Sequence, residues 1–95
     1  MPNEQLSDAE IHAQAEQLKL WVLQDNKLCR QFIFKDFVEA FNFMNKVADL
    51  AEQANHHPNW SNVYNKVDIA LTTHDYNGVS QRDFDLAKKI DLLSI

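Results

Sequence analysis

Residues 52–76 read EQANHHPNWSNVYNKVDIALTTHDY, and they hold three of the chain's four histidines, His56, His57 and His74. His57 precedes Pro58, so its backbone is pushed towards extended geometry and a preceding helix must end before it. From Trp60 onward the pattern alternates. Val63, Val67, Ile69 and Leu71 share one parity, while Tyr64, Lys66, Asp68, Ala70, Thr72 and His74 share the other, as in a strand with one packed and one open face. Asn65 interrupts the apolar row and marks a bend or bulge. A single straight strand of ten residues would hold Tyr64 and His74 about 30 Å apart. The stretch must fold back on itself before His74 can join the histidine pair.

Three helices flank this segment, each with a start signal. LSDAEI places Ser7 as N-cap with Glu10 three residues on, a capping box, and Leu6 and Ile11 stand in the positions of a hydrophobic staple. KDFVEAF places Asp36 before a long apolar helix with Glu39 at its third position. VSQRDF repeats the device, with Ser80 as N-cap, Asp83 at the third position, and Val79 and Phe84 as the staple. The spacing predicts helices over about 8–17, 37–54 and 81–92. In the second, Phe37, Phe41, Met44, Val47, Ala48 and Ala51 are expected to form the packed face. KLWVL and LCRQFIFKDF read as two strands joined at QDNK, a hairpin turn, and YNGV supplies an Asn-Gly turn before the last helix. The order α-β-β-α-β(β)-α predicts an α+β two-layer sandwich, with short strands in an antiparallel sheet and helices on one face.

Composition narrows the function. The chain has 95 residues, consistent with one domain spanning 1–95, and a domain this small favours assembly into oligomers. Its net charge is −5 and its basic residues are scattered, which argues against a nucleic-acid backbone or an anionic membrane as partner. No apolar run approaches the roughly 20 residues of a membrane-spanning helix. The N-terminal stretch lacks the basic and apolar regions of a signal peptide. The single cysteine, Cys29, excludes an intrachain disulfide and reads as a small strand residue. The expected location is cytoplasmic. With one glycine, Gly78, the chain has no glycine-rich phosphate loop.

Histidines titrate near neutrality, so two in one pocket can act as proton donor and acceptor. Glu52 or Asp83 could fix a tautomer. Three histidines could also bind zinc, but their spacing matches no familiar ligand pattern. His12 reads as a solvated helix residue, and Trp60 and Trp21 as core.

The set Glu52, His56-His57-Pro58, Tyr64, His74 and Asp83, in that spacing, resembles the signature of the pterin-4a-carbinolamine dehydratases, and the similarity extends over about residues 18–93. That family includes the dimerisation cofactor of a homeodomain transcription factor. The resemblance implies a four-stranded antiparallel sheet with three helices on one face, resolves the long alternating stretch into two strands bent near Asn65, and implies homodimers or homotetramers. It implies dehydration of 4a-hydroxytetrahydrobiopterin to quinonoid dihydrobiopterin, which recycles the cofactor of aromatic amino acid hydroxylases. No metal or organic cofactor is called for. By similarity His56, His57 and His74 line the pocket, with His56 and His74 as the acid–base pair. Glu52 contacts the pterin or orients an imidazole, Asp83 orients His74, and Trp60 borders the flat ring. A second implied role is a non-catalytic one, in which the exposed side of the second helix, at Asn42, Asn45 and Lys46, binds a transcription-factor dimerisation helix. In a eukaryotic setting that role would extend the location to the nucleus.

Overall fold

The computed structural model describes residues 4–93. The elements are α1 (Asp8–Gln17), β1 (Val22–Gln24), β2 (Lys27–Ile33), α2 (Phe37–Ala54), β3 (Asn59–Val63), β4 (Lys66–Leu71) and α3 (Gln81–Leu93), with a 3-10 turn at His74–Tyr76 between β4 and α3. The strands form one antiparallel sheet in the order β1-β2-β4-β3, and the helices cover one of its faces. This is the α+β sandwich expected from the sequence.

Tight turns set the sheet. Asp25 and Asn26 both take left-handed backbone, at φ 52° and 60°, and Gln24 pairs with Lys27, so β1 and β2 are joined by a two-residue loop. Asx residues tolerate that geometry best after glycine, and its twist matches the flanking strands. β3 and β4 are joined in the same way through Tyr64 and Asn65, because Val63 pairs with Lys66. Here Tyr64 is the left-handed residue, at φ 51°. Two asparagines clamp the turn. Asn62 Nδ2 donates to the carbonyls of Tyr64 and Lys66, and Asn65 Nδ2 donates to the Phe34 carbonyl at 2.8 Å.

The turn corrects one expectation. A reversal after Val63 resets the alternation, so Val63 faces the open side beside Lys66 and is 71% exposed. The packed row of β4 is Val67, Ile69 and Leu71, paired across the sheet with Phe32, Arg30 and Leu28. The Arg30 side chain crosses the Phe32 ring, 4.0 Å from its centroid, and donates to Asp91 of α3 at 2.6 Å; Asp91 also accepts from Trp21 Nε1. A buried-edge arginine is tolerated because its charge is paired and its face is stacked.

The face of α2 is also rotated from the expected one. The buried residues are Ala40, Phe43, Val47 and Ala51, whereas Phe37 and Phe41 are 46% and 47% exposed and contact each other. α2 is apolar over a wide arc. The stripe that packs is the one bearing alanines, which let the helix approach its neighbours closely. Phe43 completes an aromatic group with Phe32 and Phe34.

All three N-terminal signals hold. Ser7 and Glu10 make both bonds of the capping box, Asp36 accepts from the Glu39 N–H, and Asp83 accepts from the Ser80 N–H at 2.8 Å. The Glu39 carboxylate reaches Lys35 N–H instead of the cap residue.

Candidate active site

His56 is placed by the way α2 ends. Asn55 turns left-handed at φ 50°, its N–H bonds back to the Glu52 carbonyl, and the His56 N–H bonds to the Ala51 carbonyl at 3.0 Å. These two bonds satisfy two of the last four carbonyls of the helix, and the residue after the left-handed position is normally thrown back onto the core. Here that residue is a histidine. It meets α3, where Asp83 is fully buried in the first turn, and His56 Nε2 lies 2.5 Å from Asp83 Oδ1. The other carboxylate oxygen accepts from the Thr73 hydroxyl at 2.9 Å and from the Ser80 N–H. A buried carboxylate is costly unless its lone pairs are filled in this manner.

His57 follows in extended chain before Pro58 and is solvated. Its Nε2 lies 2.6 Å from Glu52 Oε2, five residues back and itself exposed. An exposed pair of this type contributes little to stability, about 0–1 kcal/mol, but it restrains the ring.

His74 is brought in by the β3–β4 hairpin. Asn59 at the start of β3 pairs with Ala70 near the end of β4, so the chain just after Pro58 runs beside the chain that leads to His74. The chain then curls through the 3-10 turn, and Asn77, left-handed at φ 54°, donates its N–H to the His74 carbonyl. The fold-back that the alternating pattern required is therefore made by a two-residue turn at Tyr64–Asn65.

The three histidines line one cleft of about 380 Å³, together with Asn55, Pro58, Asn59, Thr72, Thr73, Asp75 and Arg82. Its size falls within the usual range for small-molecule sites. Asp83 stands behind His56, and it orients that residue; the expectation that it orients His74 is corrected by this bond. Glu52 touches the site through His57. Trp60 does not line the cleft. It lies on β3 opposite Ile69, packed against the core, and borders a larger hollow of about 550 Å³ on the open sheet face that contains none of the histidines. Nothing local in the sequence marks Thr73 or Arg82 for the cleft. Arg82 borders the cleft while held by Glu4, 2.8 Å away, a bond that favours its charged form. Among the described residues, no group of three or more His, Cys, Asp or Glu side chains is arranged to hold a metal ion. His12, on α1, bonds to the Asp8 carbonyl and does not line the cleft.

A four-stranded α+β sandwich with a histidine-lined cleft at the helix–sheet junction defines a class of small pocket-bearing domain. The chain matches the family described as pterin 4 alpha carbinolamine dehydratase over residues 4–93, and it belongs to that family. A relative from Prochlorococcus marinus (strain MIT 9303), named by provisional assignment as a pterin-4-alpha-carbinolamine dehydratase, is 56% identical over 88 residues, covering 93% of this chain and 92% of the relative. One from Picosynechococcus sp. with the same provisional name is 51% identical and covers 93% of this chain and 96% of its own. A crystal structure of a transcriptional coactivator/pterin dehydratase from Brucella melitensis superposes with a TM-score of 0.89 at 39% identity, covering 96% of this chain and 99% of that one. A pterin dehydratase-like RuBisCO assembly factor of the alpha-carboxysome shares the fold at a TM-score of 0.64 and 23% identity, covering 78% of this chain and 86% of that one.

Proposed function

We propose that this chain dehydrates a 4a-hydroxytetrahydropterin, with 4a-hydroxytetrahydrobiopterin as the model substrate, and so returns the spent cofactor of aromatic amino acid hydroxylases towards its usable form. Family membership supports the dehydratase class. The observation that carries the chemistry is the convergence of His56, His57 and His74 on one cleft, with His56 tied to a buried carboxylate.

In the reaction the C4a–O bond breaks and N5 loses its proton, so that C4a and N5 become doubly bonded and water leaves. The departing hydroxyl must be protonated and the N5 proton must be accepted. An imidazole can do either near neutral pH, and positioned proton transfer contributes about 10²–10⁴-fold. His56 and His74 take these two roles. With Nε2 committed to Asp83, His56 presents Nδ1 to the ligand. His74 is exposed on the cleft wall, where its ring can reach the substrate. His57, braced by Glu52, binds or polarises the pterin. The residues supply proton transfer without a redox change, which matches a net loss of water.

The test is the rate at which freshly generated carbinolamine becomes the quinonoid product, followed by absorbance. The wild-type chain should exceed the solvent rate, and a combined His56→Ala, His74→Ala chain should fall back to it. A wild-type rate equal to that of solvent overturns the reading.

A second reading is favoured by the outward face of α2. Phe37, Val38 and Phe41 are exposed there, as are Asn42, Asn45 and Lys46. Large apolar side chains in a row on one helix are a common mark of an interface. This face supports assembly into a homodimer or homotetramer, or capture of a helical partner such as a transcription-factor dimerisation segment. Light scattering on Phe41→Glu checks it: loss of the oligomer with the cleft's activity retained supports the face, and an unchanged mass removes it.

A further inference from the structure

We infer that Thr73 is a positioning residue that fixes the proton on His56 Nε2 and sets His56 and His74 in register across the cleft. The inference rests on the dehydratase reading above.

Written as a carboxylate, Asp83 can only accept. Its Oδ2 takes the Ser80 N–H at 2.8 Å and the Thr73 hydroxyl at 2.9 Å. Thr73 has a single hydroxyl proton and commits it to Asp83. The 2.7 Å contact between the two hydroxyls must therefore be donated by Ser80. Ser80 Oγ in turn accepts the Arg82 N–H at 3.2 Å, which caps α3. The Ser80 hydroxyl proton points to Thr73, and the Thr73 proton points to Asp83. The remaining oxygen, Oδ1, can complete the set only by accepting from His56, which places the imidazole proton on Nε2 and leaves Nδ1 basic towards the ligand. Thr73, Ser80, Asp83 and His56 are all buried, and no buried side-chain nitrogen or oxygen among the described residues lacks a partner. Such closed networks resist rearrangement because any rotation orphans a buried group.

Thr73 pairs in both directions with Gly78, at 2.9 and 3.4 Å, and this bridge closes the loop that carries His74. The Thr73 side chain points inward to Asp83, while the next residue, His74, faces the cleft. One residue therefore anchors the loop of one histidine and the carboxylate of the other.

The experiment uses three chains: wild type, Thr73→Val and Thr73→Ser. Valine keeps the shape and the backbone but removes the hydroxyl. Histidine tautomers are read by long-range ¹⁵N–¹H correlation on the free protein, and kcat and KM are measured separately. Wild type and Thr73→Ser should show His56 as the Nε2–H tautomer. Thr73→Val removes one of the two donors on Asp83 Oδ2 and frees the Ser80 hydroxyl, so the carboxylate can rotate away from His56; that chain should show tautomer mixing, with kcat lowered about 10–100-fold, the loss typical when the outer partners of a metal-bound histidine are removed, and with KM little changed. Serine should restore most of kcat. The inference is overturned if wild-type His56 is the Nδ1–H tautomer, a result that needs no variant to fold. It is also overturned if Thr73→Val keeps both the tautomer and kcat. A Thr73-dependent tautomer in a chain that does not dehydrate the carbinolamine would uphold the positioning role and reject the reaction.

Discussion

Asp83 and His56 lie 27 positions apart in the chain, yet their side chains meet at 2.5 Å in the buried seam between α2 and α3. The contact joins the left-handed end of one helix to the first turn of another. Replacing Asp83 by Asn keeps the volume but offers a donor where His56 also donates. Dehydration should slow by about 10²-fold or more, by analogy with other carboxylate-oriented histidines. Asp83→Ala should in addition destabilise the fold by about 3–5 kcal/mol, since it strands the buried partners of the carboxylate. Steady-state kinetics and a urea titration of both variants separate the two effects. Unchanged turnover in Asp83→Asn would remove Asp83 from the mechanism.

The three histidines should not be equivalent. His56→Ala and His74→Ala are each expected to lower kcat by about 10²–10⁴-fold, the usual contribution of a positioned acid or base. His57 and Glu52 are exposed and paired with each other. His57→Ala should act mainly on KM, and Glu52→Gln should change stability by less than about 1 kcal/mol. Kinetics with saturating and limiting carbinolamine distinguish these patterns. Equal losses at all three positions would contradict the assigned division of labour.

The loop that carries His74 offers a backbone test. Its left-handed residue is Asn77, at φ 54°, and Gly78 does not take positive φ. A Cβ built on Gly78 would meet only the Asn26 side chain at 3.8 Å and its carbonyl at 4.0 Å, which is ordinary contact. Gly78→Ala should therefore be neutral or stabilising by up to about 1 kcal/mol through the unfolded state. Asn77→Ala should cost about 1 kcal/mol, because alanine lacks the local hydrogen bonding that makes left-handed backbone tolerable. Urea midpoints of the two variants give the comparison.

Acid should loosen α1 first. The Ser7 backbone N–H, and then its hydroxyl, hold the Glu10 carboxyl below the usual glutamate range. A group whose pKa is lowered on folding contributes stability above its unfolded value, and that contribution is lost as pH falls through the folded one. Amide exchange over residues 8–11 should thus accelerate below about pH 4.5. In Glu10→Gln this pH-dependent part should vanish. Equal acid sensitivity in the two chains would exclude the capping box as its source.

The sequence by itself determined the helix starts, because a capping box is a bond between residues three apart and needs no tertiary partner. It also determined the hairpin at Asp25–Asn26 and the packed row Val67, Ile69 and Leu71, since turn chemistry and a period of two are local properties. The grouping of the three histidines was legible only through the spacing from Glu52 to Asp83, which resembles a family signature, while Thr73 and Arg82 came into the cleft through the fold alone. Tertiary structure decided what local rules leave open. α2 offers two adjacent apolar stripes, and contact with its neighbours selected the one with Ala40 and Ala51 over Phe37 and Phe41. The turn at Tyr64 reset the strand's parity and sent Val63 to the open face. The partner of Asp83 was settled in the same manner. Its capping role is written in the sequence around Ser80, but its second oxygen is satisfied by whichever histidine the helix packing brings within reach, and that is His56.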